Sequence, residues 1–386
     1  MNVKNGSVVA GRVLELFRHD ADPAWGYTEA HEFSFGLYHP KNEVPGKKYP
    51  LHFALHCAGC SYFDSVTSIL NADNLDTLKG ASDEVFTLCL DDLFCPPVDY
   101  WWGGQNPQDN DMPSHWGTEP QPVEKRCLAT LKWVMDNYPI DENMVYALGV
   151  SMGGSGVLGM ALCRGDIFAA IKVCVPAGVR HVSERCSFGK DGDAIPDPPP
   201  VIEISAQNDA WSKGHGDLYA GMKEKRYALT SYWGNFGHDA SNSRMPKIND
   251  LINTFDIYSI KKNEAYPVFL SASCDDRIPW LDESAMDSAG QMNAFFRWKN
   301  VTDTEDRFEM ELYIPSEEEL ETSFTIPAEA TAEVCLRRMQ NMKIAEGETF
   351  RYTFGEISGE GKVVGGVPEL GKLTLTREHK TLTILK

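Results

Sequence analysis

The 386-residue chain has no apolar run approaching the ~20 residues of a membrane-spanning helix, so no membrane span is expected. Positive charge is scarce: 36 Lys and Arg against 56 Asp and Glu leave a formal charge of -20. A surface that acidic repels phosphate backbones, and no basic stripe interrupts it, so nucleic acid is excluded as a partner. The N-terminus "MNVKNGSVVAGRV" lacks the apolar core of a secretory signal. Cys57 and Cys60 in "LHCAGCS" form a lone C-x-x-C with no second pair to complete a zinc site. No metal-ligand set and no phosphate-binding glycine loop occurs, so no metal or cofactor is expected.

What remains is the composition of a globular protein, 42% hydrophobic and 24% charged. That length can bury a core without disulfides or metals. The ten cysteines fall largely in apolar runs such as "FTLCLDD" and "IKVCVPA", where they read as small buried hydrophobes. Reduced cysteines and the missing signal favour the cytoplasm. A signal trimmed from the chain would leave secretion or the periplasm open. Oligomeric state is not legible.

From about residue 28 to residue 300 strands and helices alternate. "YPLHFALHC", "EVFTLCLDD", "MVYALGV", "FAAIKVCVPAG", "PPVIEISAQND" and "YALTSYW" are apolar runs of strand length. "PVEKRCLATLKWVMDNY", "GGSGVLGMALCRGD" and "GDLYAGMKEK" are helical. Such alternation predicts an α/β domain with a mostly parallel sheet and helices on both faces. Beyond about residue 300 come "RFEMELYI", "TAEVCLRRM", "TFRYTFGE", "KLTLTRE" and "TLTILK", short strands with no helix between them. They predict a small β-sandwich of immunoglobulin or fibronectin type. The expected division is a catalytic domain over 1–298 and the β-domain over 299–386. In "FRYTF", Phe350, Tyr352 and Phe354 recur with period two, the spacing of a core-facing row.

Gly149-Val150-Ser151-Met152-Gly153 fits G-x-S-x-G, preceded by an apolar strand and followed by a small-residue helix. That context is what the motif requires: serine on a strained strand-to-helix turn, with glycines letting strand and helix pass closely. On "LHCAGCS", "GVSMGG", "SAQNDAW" and "GNFGHD" the chain resembles the α/β-hydrolase superfamily. Within it, the chain is similar to carbohydrate esterase family 1, the feruloyl and acetylxylan esterases, with the polyhydroxybutyrate depolymerases nearby. The resemblance covers roughly residues 45–300 and departs where Cys57 stands in place of the usual glycine.

A nucleophilic serine needs a base and the base an orienter, which in this fold follow in the order Ser, Asp or Glu, His. His238 follows a strand in a glycine-flanked loop. His181 comes too early, and His215 stands only six residues past Asp209, at the start of a helix. Asp209 ends a buried strand one strand before His238. Asp275 and Asp276 are the rival acids. The oxyanion hole needs two backbone N–H donors. Met152, after the nucleophile, is one. By resemblance the other is Ala58, with Cys57 as alternative, and His56 is structural.

Between the strand "EVFTLCLDD" and the helix at 122 lies a long loop with Tyr100, Trp101, Trp102 and Trp116. Aromatic faces suit sugar rings or an aryl acyl group. Trp101 and Trp102, with Trp211 beside Asp209, are the candidate substrate-binding residues, unless the tryptophans pin the loop to the core. These features predict a serine carboxylester hydrolase removing acetyl or feruloyl-type groups from plant polysaccharide or oligosaccharides. The competing readings are a serine peptidase of prolyl-oligopeptidase type and a catalytically inert glycan- or protein-binding protein.

Overall fold

Two hydrophobic periods sort the chain into two sheets. The computed structural model describes residues 2–9, 11–27, 29–68, 83–92, 101, 120–179, 197–239, 255–320 and 324–386. In chain order the strands begin with β1 (Asn2–Val9), β2 (Arg12–Asp20), β3 (Glu32–Tyr38), β4 (Tyr49–Leu55) and β5 (Phe86–Cys89). They continue with β6 (Ile140–Val150), β7 (Ala170–Cys174), β8 (Val201–Ala206) and β9 (Leu229–Gly234). The described helices are α1 (Tyr62–Ser68), α2 (Pro122–Asn137), α3 (Met152–Ala161) and α4 (His215–Glu224).

The apolar runs pair in parallel in the order β5-β4-β6-β7-β8-β9. Strands covered on both faces need no alternation, and β5 and β8 are buried at every position. The antiparallel strands β1, β2 and β3 extend one edge. β11 (Gly290–Met292) closes the other, antiparallel to β9.

α2 starts on Pro122, whose missing N–H costs nothing in a first turn. It buries Val123, Cys127, Leu131 and Val134 against one face of the sheet, in the core that also takes Val157 of α3 and Leu218 and Met222 of α4. On the opposite face, α1 covers β2 and β3 with Val66. The expectation of helices on both faces therefore needs correction under β7–β9. There Cys174, Ile202, Ile204 and Tyr232 share a core with Phe308, Met310 and Leu312 of the second sheet. A sheet's apolar row fills a layer as well as a helix does.

That second sheet takes β10 (Tyr266–Leu270), β12 (Arg297–Asp303), β13 (Arg307–Tyr313) and β14 (Glu329–Arg337). β15 (Thr349–Phe354), β16 (Ile357–Val364), β17 (Val367–Thr376) and β18 (Lys380–Leu385) complete it. The strands hydrogen-bond as one eight-stranded antiparallel sheet, β10-β14-β17-β16-β15-β18-β13-β12, where a sandwich had been expected. Alternation is clean: Phe350, Tyr352 and Phe354 point inward from β15 and their neighbours outward. The chain enters this sheet at β10, returns to the first at β11 and leaves again at β12. A division at 298/299 therefore cuts through β12 and separates β10 from its pairing partner β14. Among the described residues no helix is long and apolar enough to cross a membrane, which says nothing of a β-barrel.

Candidate active site

β6 ends at Val150, α3 begins at Met152, and the single residue between them carries the turn. Ser151 has φ 56° and ψ -122°, a conformation that strains a side-chain-bearing residue by about 1–3 kcal/mol. The surroundings hold it there. Its N–H donates to Cys174 O at 2.9 Å and its carbonyl accepts from Ala177 N at 3.1 Å. The flanking glycines are steric necessities. A Cβ on Gly149 would lie 2.3 Å from Gly153 O, and one on Gly153 would lie 2.1 Å from Leu55 O. The parallel register sets Leu55 opposite Gly149, so the loop leaving β4 runs beside the turn.

The neighbouring strand ends deliver two more side chains to the same edge. Register places Ala206 of β8 opposite Gly234 of β9, so the loops after both strands emerge together. Gly237, at φ +66°, turns the chain after β9, and its N–H donates to Asn208 Oδ1 at 2.8 Å. His238 follows. Its Nε2 stands 2.7 Å from Ser151 Oγ and its Nδ1 stands 2.6 Å from Asp209 Oδ2. A carboxylate only accepts, so Nδ1 carries the proton and Nε2 turns its lone pair to the Ser151 hydroxyl. Asp209 is 6% exposed, and its other oxygen accepts from Trp211 N at 2.8 Å. Serine, imidazole and carboxylate thus form one relay that can deprotonate a hydroxyl and return the proton. The rival acids are committed elsewhere. Asp276 accepts from Gln291 N, and Asp275 from Asn293 N and Ala272 N.

Beneath the acid lies a buried group built on His215 and on Glu203, a residue no motif marks. Ser212 Oγ donates to Asp209 O at 2.8 Å, and His215 Nδ1 donates to Ser212 O at 2.6 Å. The other nitrogen of His215 faces Glu203 at 3.0 Å, and Ser205 Oγ stands 3.0 Å from that carboxylate oxygen and 2.9 Å from the ring nitrogen. Trp280 stacks on the His215 ring at 4.7 Å and donates its indole N–H to Ser212 Oγ. Burial opposes charge on Glu203, but the charge and hydrogen bond of His215, with the hydroxyls of Tyr219 and Ser205, outweigh it and hold its pKa below the usual value. The one available signal was a glutamate inside the apolar run "VIEIS".

The loop after β4 is anchored by His56. Its Nδ1 donates to Cys57 O at 2.9 Å, and its Nε2 lies 3.4 Å from Asp91 and 3.3 Å from Asp92. Among the described residues, these three side chains are the group with metal-ligand spacing, their atoms within 4.8 Å of one another. Against burial, the two carboxylates and the Cys57 carbonyl raise the pKa of His56 from its ordinary value. Ala58 is exposed on the turn that follows, and Gly59 adopts φ +76°.

Trp101 requires correction as a substrate-binding residue. It is 1% exposed, donates its indole N–H to His56 O at 2.9 Å and sets its ring against the His56 imidazole. A Cβ on Gly156 would lie 2.2 Å from Trp101 Cβ, so the glycine-rich face of α3 is shaped around this ring. Trp101 is thus a core residue. Trp102, Trp116 and His181 lie outside the described residues. Trp211 is half-buried, its ring 6.2 Å from that of His238.

No protein-family model matches the chain. No curated protein is similar to it in sequence. Among solved structures, the chain is similar to an S-formylglutathione hydrolase from Agrobacterium tumefaciens at 15% identity and a TM-score of 0.46, covering 66% of this chain and 98% of that one. It is similar to an S-formylglutathione hydrolase from Staphylococcus aureus at 13% identity and a TM-score of 0.42, covering 62% and 98%. It is also similar to a CE1 ferulic acid esterase from Anaeromyces mucronatus at 15% identity and a TM-score of 0.43, covering 63% and 94%.

Proposed function

We infer that the chain is a serine carboxylester hydrolase of α/β-hydrolase type, working through an acyl-enzyme. One observation carries this: a serine on a strained turn, 2.7 Å from an imidazole that is itself 2.6 Å from a buried carboxylate. Ser151 Oγ attacks the ester carbonyl while His238 Nε2 takes its proton. Asp209 fixes the tautomer and stabilises the imidazolium. The backbone N–H of Met152, in the first turn of α3, donates to the tetrahedral oxyanion, where the helix dipole also favours negative charge. The N–H of Ala58, on the turn that follows β4, is the second donor. His238 then protonates the leaving alcohol and activates the water that releases the acid.

The substrate class in this reading is an acetyl or feruloyl-type ester of plant polysaccharide or its oligosaccharides. Its support is the sequence resemblance to carbohydrate esterase family 1, with Trp211 offering an aromatic face beside His238. Hydrolysis of p-nitrophenyl acetate and methyl ferulate tests the reading. Ser151→Ala is expected to lose at least about a thousandfold in kcat on whichever ester the wild type turns over. Equal rates in the two proteins would overturn it.

A further inference from the structure

The turn that carries Ala58 also carries two thiols, and nothing in the hydrolytic mechanism uses them. Cys57 and Cys60 are both free and both partly exposed, with Sγ atoms 3.2 Å apart. Between them, Cys60 N donates to Cys57 O at 3.3 Å, and Gly59 takes the positive φ that a type II turn requires at its third position. Such a turn holds its first and fourth Cα atoms within about 7 Å, overlapping the roughly 4.4–6.8 Å of disulfide-linked pairs.

We propose that Cys57 and Cys60 are a reversible disulfide site whose oxidant is a low-molecular-weight disulfide, and that closing it slows ester hydrolysis. The second half rests on the reading of Ala58 as an oxyanion donor. In the exchange, the Cys57 thiolate attacks one sulfur of the small disulfide and expels the other as thiolate. Cys60 then gives up its proton and attacks Cys57 Sγ, expelling the second thiolate. Two protein thiols lose two protons and two electrons, and the small disulfide gains them as two thiols. The order follows from the surroundings. Burial first, then the hydrogen bond and charge of Cys57, push the Cys60 thiol up to about 12, so Cys60 does not open the exchange. Once Cys57 is in the mixed disulfide, its contributions to that shift are gone. Sulfurs 3.2 Å apart must close to roughly 2.05 Å, drawing in the ends of the turn on which Ala58 sits. A catalytic donor tolerates about half an ångström of displacement before its contribution fades.

The test is mass spectrometry of the full-length protein equilibrated in glutathione redox buffers, then alkylated and cut with trypsin. Cleavage after Lys48 and Lys79 yields one peptide holding both cysteines and no other. The expected oxidised peptide is unalkylated and two hydrogens lighter, and dithiothreitol restores it. In Cys60→Ala the same treatment should leave glutathione on Cys57. A wild-type peptide that stays dithiol in oxidising buffer overturns the site. The same samples, assayed on p-nitrophenyl acetate, should lose about tenfold or more in kcat on oxidation and regain it on reduction. Unchanged kcat in fully oxidised protein overturns the control of hydrolysis. A reduced wild type that cleaves no ester overturns the esterase reading instead, while the mass measurement still decides the disulfide.

Discussion

In the proposed mechanism Asp209 acts only through His238. Asp209→Asn keeps the shape but offers Nδ1 an amide in place of a carboxylate, so the ring settles in the wrong tautomer. A loss of about 10⁴ in kcat is expected, with KM little changed, in steady-state kinetics on p-nitrophenyl acetate. Gly153 is a residue whose role is written in backbone. Gly153→Ala would drive a methyl against Leu55 O, 2.1 Å away, and neither strand nor helix can yield. It should destabilise the fold by at least about 3 kcal/mol, the upper end of overpacking costs, measured as a drop in urea midpoint. These residues were legible because the chemistry constrains them locally: glycines two either side of Ser151, aspartate at a strand end, histidine after a glycine. Trp101 was misleading for the opposite reason. An indole in a Gly- and Pro-rich loop has the same sequence signature whether it faces a sugar or the core. Only the position of Gly156, one turn along α3, decides it.

At the scale of elements, the β4–α1 connection shows how charge holds a loop. Burial alone would lower the pKa of His56. The hydrogen bond to Asp91, the charge of Asp92 and the Cys57 carbonyl outweigh it and raise the value. A pKa raised on folding contributes stability that is fully present below the unfolded value of about 6.5 and is lost as pH rises through the folded value. Urea midpoints measured from about pH 6 to about pH 9 should therefore fall more for wild type than for His56→Gln, which cannot carry the charge. A parallel slope in both would remove His56 as the cause. The parallel strands were readable because burial on both faces writes continuous apolar runs. β2 was not. Its pattern mixes buried and half-exposed positions, "RVLELFRHD", because this strand near the sheet edge has one thinly covered face. The Glu203–His215 pair was equally hidden. A charge inside a strand is visible in sequence, but its partner lies on α4 and meets it only through the crossover.

The whole molecule depends on the two sheets sharing a core. The period-two texture beyond residue 300 announced the antiparallel strands, yet it could not show what their apolar row would face. That row meets Cys174, Ile202, Ile204 and Tyr232, side chains of the same strands whose carboxyl ends hold the relay. The contact is reinforced where β14 ends. Arg337 donates to Arg226 O at 2.6 Å and Lys225 O at 2.7 Å, and pairs with Asp197 at 2.8 Å. Arg338 donates to Phe168 O at 3.1 Å and Ala169 O at 3.0 Å, on the approach to β7. Carbonyls at the termini of α4 and β7 thus take their donors from the second sheet. A chain ended at residue 298 would leave β10 without β14 and open the shared core to water, so it should be recovered only as aggregate. The gentler variant is Arg338→Ala. Each charge-assisted hydrogen bond contributes about 1.5–3 kcal/mol, and this variant removes three, those to Phe168 O and Ala169 O and a longer one of 3.4 Å to Lys261 O. Calorimetry should show the melting temperature fall while one cooperative transition remains, because a shared core leaves neither sheet able to melt alone. Two separated transitions, with esterase activity lost only at the first, would mean the second sheet is an independent appendage.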